Sequence, residues 1–186
     1  MEQKESKGKS KIIKETFTSE IISIIGDIFA GIILLMLILP FKSFLLLIII
    51  VPALLSLRGN LSGPFIARTS RDFIIGEFNK KSLLENTLAT FALSLVTGFL
   101  IGVFCIILNI LIIKIFIFPI EIFILIPIIS IIFTISISIP SSTTLNYIAF
   151  RYGFDPNNMV NPIMTAIDDF FTIVCFYMTL LILGVP

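Results

Sequence analysis

The sequence predicts an all-α fold: a polytopic membrane bundle of five transmembrane helices, N-terminus inside and C-terminus outside. Three observations predict it. Hydrophobic residues make up 57% of the 186 residues and charged ones only 13%, with a mean hydropathy of +1.12. The apolar residues gather in long runs separated by short polar stretches, and the basic residues crowd the connections on one side. Soluble domains carry about 25% charged residues, and a water-soluble fold of this size could not cover its surface with so few ionic groups. An ordinary cytosolic enzyme, a nucleic-acid binder and a disulfide-stapled secreted module are thereby excluded.

Residues 1–20 alternate Lys4, Lys7, Lys9, Lys11 and Lys14 with Glu2, Glu5, Glu15 and Glu20. So charged a segment cannot bury a core, and it reads as a solvated cytoplasmic tail, helical from about Ile12. The transmembrane domain then covers residues 21–186. Its first span, Ile21–Leu39, is long enough to cross a bilayer and has no small-residue cleavage pattern, so it is retained rather than processed. Pro40 ends it.

The second apolar run, Phe44–Leu57, is short at about 21 Å of helix. It is interrupted by Pro52 and by Arg58-Gly59-Asn60-Leu61-Ser62-Gly63-Pro64 before a helical pattern resumes to Gly76. A short Gly/Pro-broken segment is the sequence pointer to a binding site in a transport protein, because its freed backbone groups must face protein or water. The third span, Leu88–Ile113, spaces Thr90, Ser94, Gly98 and Gly102 four apart, a stripe that lets another helix approach closely. The fourth, Phe116–Ile139, carries Pro119, Pro127 and a hydroxyl row of Ser130, Thr134 and Ser138. That row either lines a path or bonds back to its own carbonyls. After a turn cluster at residues 152–158, Met159–Leu183 forms the last span.

With the N-terminus inside, every one of the 13 basic residues except Lys42 and Lys114 lies on the inner side. Such a bias sets orientation and predicts a multi-pass protein of the cell membrane. Glu121, with Lys114 nearby, reads as a solvated charge at the outer rim.

The last span holds the chemistry. Asn161, Thr165, Asp168, Thr172 and Thr179 fall within about 60° of one another on a helical wheel, and Asp169 flanks them at about 100° from Asp168. A carboxylate inside a bilayer is costly and should face a bundle interior or a water-filled path. No Lys or Arg sits at a span centre to neutralise the pair. Carboxylate, amide, hydroxyl and water oxygens are ligands for a hard cation; magnesium keeps much of its hydration and needs only one or two carboxylates. There is no His, and Cys105 and Cys175 have no partner at metal spacing, so they read as small buried hydrophobes and thiolate-preferring ions are disfavoured. Asp27 is a further acid in the first span, which either lines the same cavity or is solvated near one face.

The run Pro52-Ala53-Leu54-Leu55-Ser56-Leu57-Arg58-Gly59-Asn60-Leu61, with Ala67-Arg68-Thr69-Ser70 after it, resembles the signature of MgtE-type magnesium transporters. It is most similar to their eukaryotic solute-carrier branch, in a half-length, single-repeat form. Asp155-Pro156-Asn157-Asn158, Pro162 and Thr165-Ala166-Ile167-Asp168-Asp169 resemble the same family. The resemblance covers about Ile21 to Leu183. It implies a homodimer with a cation path between protomers, lined by the second and fifth helices. Its ion-binding acid falls on Asp169, with Thr165 and Asn161 one and two turns earlier and Asp168 auxiliary, in a place where the family usually has a small residue. Asn60 matches the asparagine of the second-helix motif, and Gly59, Ser62 and Asp27 are further pore or gate candidates. Arg58 stands where the bacterial channels have Gly, and the large cytosolic regulatory domains of those channels have no counterpart in the short tail.

The expected function is transport of a divalent cation, magnesium first, without covalent chemistry and with no cofactor besides the transported ion. The expected partners are the lipid bilayer and a second copy, with no nucleic acid. Two other classes were weighed: a membrane-embedded metal-dependent enzyme such as a phospholipid head-group transferase, and a structural membrane subunit. The enzyme reading needs several spaced acids near one interface, and Asp168 and Asp169 have no spaced pair close by in sequence.

Overall fold

The computed structural model describes residues 2–37, 47–114 and 119–185. Among these residues there are long α-helices and no strand: α1 (Glu2–Met36), α2 (Leu47–Ile75), α3 (Lys80–Leu108), α4 (Ile120–Arg151) and α5 (Pro156–Ile182). The expected all-α architecture is the one observed, with 5 helices long and apolar enough to cross a membrane.

Each boundary has a local cause. Gly76, at φ 76°, stops α2 in a conformation that a side chain would resist. Asn79 caps α3 by accepting from the backbone N–H of Lys81 and Ser82, each at 2.9 Å. Ser82 also donates to the Asp72 carboxylate, joining the end of α2 to the start of α3. A π-helical turn, Asn109–Ile113, extends α3 and ends at Lys114, whose φ is 55°. Asp155 caps α5 by accepting from the N–H of Asn157 at 2.9 Å, and Pro156 follows at the first helical turn, where its missing N–H is harmless.

Two expectations change. First, the break expected across Arg58–Pro64 is absent: α2 runs through Pro52 and Pro64, as α4 runs through Pro127 and Pro140 and α5 through Pro162. Opening a helix in hydrocarbon strands several backbone groups with no water to meet them, whereas an interior proline forfeits one bond. Continuity is the cheaper solution. Second, the charged amino-terminal segment is helical from Glu2, continuous with the first span, and not wholly solvated. Glu15 and Ser19 are buried against the turn between α4 and α5. Ser19 Oγ donates to the Asn158 carbonyl at 3.0 Å, Asn158 Nδ2 donates to Glu15 Oε2 at 3.1 Å, and Lys11 Nζ donates to the Gly153 carbonyl at 3.0 Å.

In the packing, α5 meets α1, α2 and α4, while α2 meets α3, α4 and α5. Among the described elements α1 touches α5 alone. The main core joins Leu54 of α2, Phe123 and Ile126 of α4, and Phe176 and Leu180 of α5. Thr90, Ser94, Gly98 and Gly102 are all buried, and the two glycines explain why. A Cβ on Gly98 would lie 2.7 Å from Ile131 Cδ1, and one on Gly102 would lie 2.7 Å from Ile124 Cα. The stripe is thus the surface on which α3 and α4 approach closely, as its spacing predicts. Large apolar side chains such as Ile24, Ile28 and Leu35 of α1 point outward, which suits lipid and not water.

Candidate functional site

The polar residues of α5 divide between two environments. Asp168, Thr172 and Thr179 are buried at 1%, 4% and 0% exposure, facing the interior of the chain. Asn161 is exposed, and Thr165 and Asp169 are half-buried; these lie four residues apart, successive turns of one side of the helix. Two adjacent carboxylates near mid-helix therefore face differently, Asp168 inward and Asp169 toward the edge of the bundle. Both have partners in the structure. Thr165 Oγ1 donates to the Asn161 carbonyl at 3.0 Å, which ties the hydroxyl proton back to the helix and leaves its lone pairs outward.

The same edge is shared by α2. A Cβ on Gly63 would stand 3.9 Å from Asn161 Oδ1, ordinary contact distance, so the asparagine amide lies beside α2 at this residue. One turn earlier, a Cβ on Gly59 would meet nothing within 4 Å, and Asn60 beside it is exposed. The structure therefore brings Asn161 beside Gly63 of α2, with Thr165 and Asp169 following along α5. Sequence reasoning did not single out Gly63; its signal is the four-residue spacing from Gly59, a small-residue pair of the kind that admits close helix approach.

Ser62 lies elsewhere. It is 7% exposed and faces a cavity inside the chain together with Thr172 of α5 and Ser130 of α4. Asp27 is exposed on α1, which among the described helices packs on α5 alone. Glu121 is exposed in the first turn of α4, and Lys114 is exposed at the end of the π turn. Cys105 and Cys175 are buried free thiols. Among the described residues no three of His, Cys, Asp and Glu gather into a metal cage. An ion held on the α2–α5 edge would therefore take most of its ligands from amides, hydroxyls, water or another chain.

A five-helix membrane bundle with oxygen-bearing side chains along one helix edge defines a class: a multi-pass membrane protein built to pass a polar solute through lipid. Residues 51–179 match the family model MgtE, divalent cation transporter. The match covers more than two thirds of the chain and includes α2 through most of α5, so the chain belongs to the MgtE family of divalent cation transporters. No curated protein and no solved structure matches it.

Proposed function

We infer that the chain carries magnesium, as a partly hydrated ion, across the cell membrane along a path that two copies complete between them. The observation that supports this is the group of polar residues at the bundle edge, Asn60 and Asn161 exposed and Thr165 and Asp169 half-buried. On insertion scales an acid at mid-bilayer costs roughly 2.5–3.5 kcal/mol if it faces lipid. A second copy related by a two-fold axis would cover this edge with its own equivalent, placing two Asp169 carboxylates on one water-filled path. Asp169 attracts the ion, and Asn161, Thr165 and Asn60 contact it or its waters. Few carboxylates with neutral oxygens suit an ion that dehydrates reluctantly. Asp168, directed inward, supports the helix instead of meeting the ion.

The distribution of Lys and Arg orients the protein with its N-terminus in the cytoplasm. Likeness to the eukaryotic solute-carrier branch, in a half-length form, belongs to the same reading and rests on Arg58-Gly59-Asn60. The test is magnesium flux into proteoliposomes, with Asp169→Asn as the variant. The expected result is a flux lowered by about tenfold, equivalent to about 1.4 kcal/mol of ion binding. Unchanged flux removes Asp169 from the path, and cross-linking at a cysteine introduced in place of Asn60 tests the second copy separately.

A further inference from the structure

Within the single chain, α2, α3, α4 and α5 line a partly open cavity of about 30 Å³. Its walls are mostly apolar, Leu54, Leu61, Phe65 and Ile135 among them, but each of the four helices also brings a hydroxyl to it: Ser62, Thr90, Ser130, Thr134, Ser138 and Thr172. Two of these, Ser130 at 0% exposure and Thr172 at 4%, have no hydrogen-bond partner. A buried hydroxyl left unmade costs free energy that packing does not return, and here two such hydroxyls line the same small space. We propose that this cavity is a binding site for one ordered water molecule, which bridges Ser130 of α4 to Thr172 of α5.

The size, the hydrogen-bond inventory and the charge all fit water. A buried water needs only about 10–15 Å³ of such space, and two to four polar partners. Ser130 and Thr172 each retain a proton to donate to it. Thr134 spends its own proton on the Ser130 carbonyl at 2.8 Å, and Thr90 spends its on the Asn86 carbonyl at 2.8 Å, so each offers the water only lone pairs. Donors and acceptors are thus both at hand. A cation is disfavoured at the same place: no carboxylate lines the cavity, and the Arg68 guanidinium donates to Thr90 Oγ1 at 3.4 Å, bringing positive charge to its wall. A neutral ligand suits a site with a guanidinium at its wall and no carboxylate in its lining.

This water is distinct from any on the α2–α5 edge, and it stands whether or not two copies pair. It gives the interior a hydrogen-bonded strut that holds α5 to α4 at the level of the acidic pair.

The experiment pairs two measurements on the purified full chain. X-ray radiolytic footprinting labels side chains beside bound water, and Phe65, which lines the cavity at 1% exposure, is the reporter. The expected result is rapid labelling of Phe65 in the native protein and a loss of about tenfold in Thr172→Val, in which the water loses one of its few partners. Absence of Phe65 labelling in the native protein overturns the proposal. Thermal unfolding supplies the sign. With a water in place, Thr172→Val and Ser130→Ala each lower the midpoint, because each takes a partner from it. With a dry cavity, each variant relieves an unpartnered hydroxyl and raises the midpoint, which overturns the proposal. A native midpoint that rises with sodium in place of a large organic cation also overturns it, by making the occupant an ion.

Discussion

Gly26 of α1 meets Ala166 of α5 so closely that a Cβ on Gly26 would lie 2.5 Å from the Cβ of Ala166. The contact sits one turn from Ser23 and Ala30, which are also buried, and it fixes α1 along the helix that carries Asp168 and Asp169. Neither glycine nor alanine leaves side-chain freedom to absorb a change there. Gly26→Val should lower stability by about 1–3 kcal/mol through overpacking, read as a lower thermal midpoint in detergent. An unchanged midpoint would show that α1 is free to step away from α5.

The two glycines of α3 should respond differently to the same substitution. A Cβ at Gly98 meets Ile131 Cδ1, the far end of a flexible side chain, whereas at Gly102 it meets Ile124 Cα at 2.7 Å and the Phe123 carbonyl at 2.9 Å. Side chains rotate and backbone does not. Gly102→Ala is expected to cost about 1–3 kcal/mol, and Gly98→Ala clearly less. Equal losses would contradict the backbone contact.

Asp168 and Asp169 should separate stability from transport. Asp168→Ala removes an acid at 1% exposure and leaves its partner unmet in the interior, with an expected cost of about 1–3 kcal/mol. Asp169→Ala, at a half-buried position, should cost less and lower magnesium flux more. Thermal unfolding and proteoliposome flux on both variants read the two effects; a single rank order in both assays would refute the division.

The amino-terminal helix should loosen when its anchor is cut. Asn158→Ala removes the bond to Glu15, leaving that buried carboxylate short of a donor. Faster hydrogen exchange is expected across residues 9–20, with little change in α3. Asp155→Ala acts on the neighbouring turn by another route, deleting the α5 cap at a cost of about 1 kcal/mol.

How much was legible in the sequence depends on the range over which each feature is decided. The five helices follow from hydropathy and length, which are local, and the Thr90–Gly102 stripe follows from spacing. The continuity of α2 did not follow, because Pro52, Gly59 and Pro64 punctuate chains in water, while lipid penalises the broken alternative. The burial of Glu15 and Ser19 depends on the Gly153–Asn158 turn far along the chain, which composition cannot report. On α5 the wheel grouped Asn161, Thr165, Asp168, Thr172 and Thr179 on one stripe, and the structure divides them between the interior and the edge. Whether Asp168 or Asp169 faces inward is set by where α2 and α4 stand, and that is tertiary information. Ser62, Thr90, Ser130 and Thr172 come from four helices, so no motif could have joined them.

Among the described helices α1 packs on α5 alone, and this has a consequence for how the protein is made. Synthesis runs from the first helix to the last, so α1 enters the bilayer when the helix it packs on does not yet exist. During that interval α2, α3 and α4 can settle against one another, since each has neighbours among them. The arrival of α5 then closes the core and receives α1 in the same event. The first helix inserted is the last one docked, and a chain arrested before Asp155 would carry α1 adrift in the membrane.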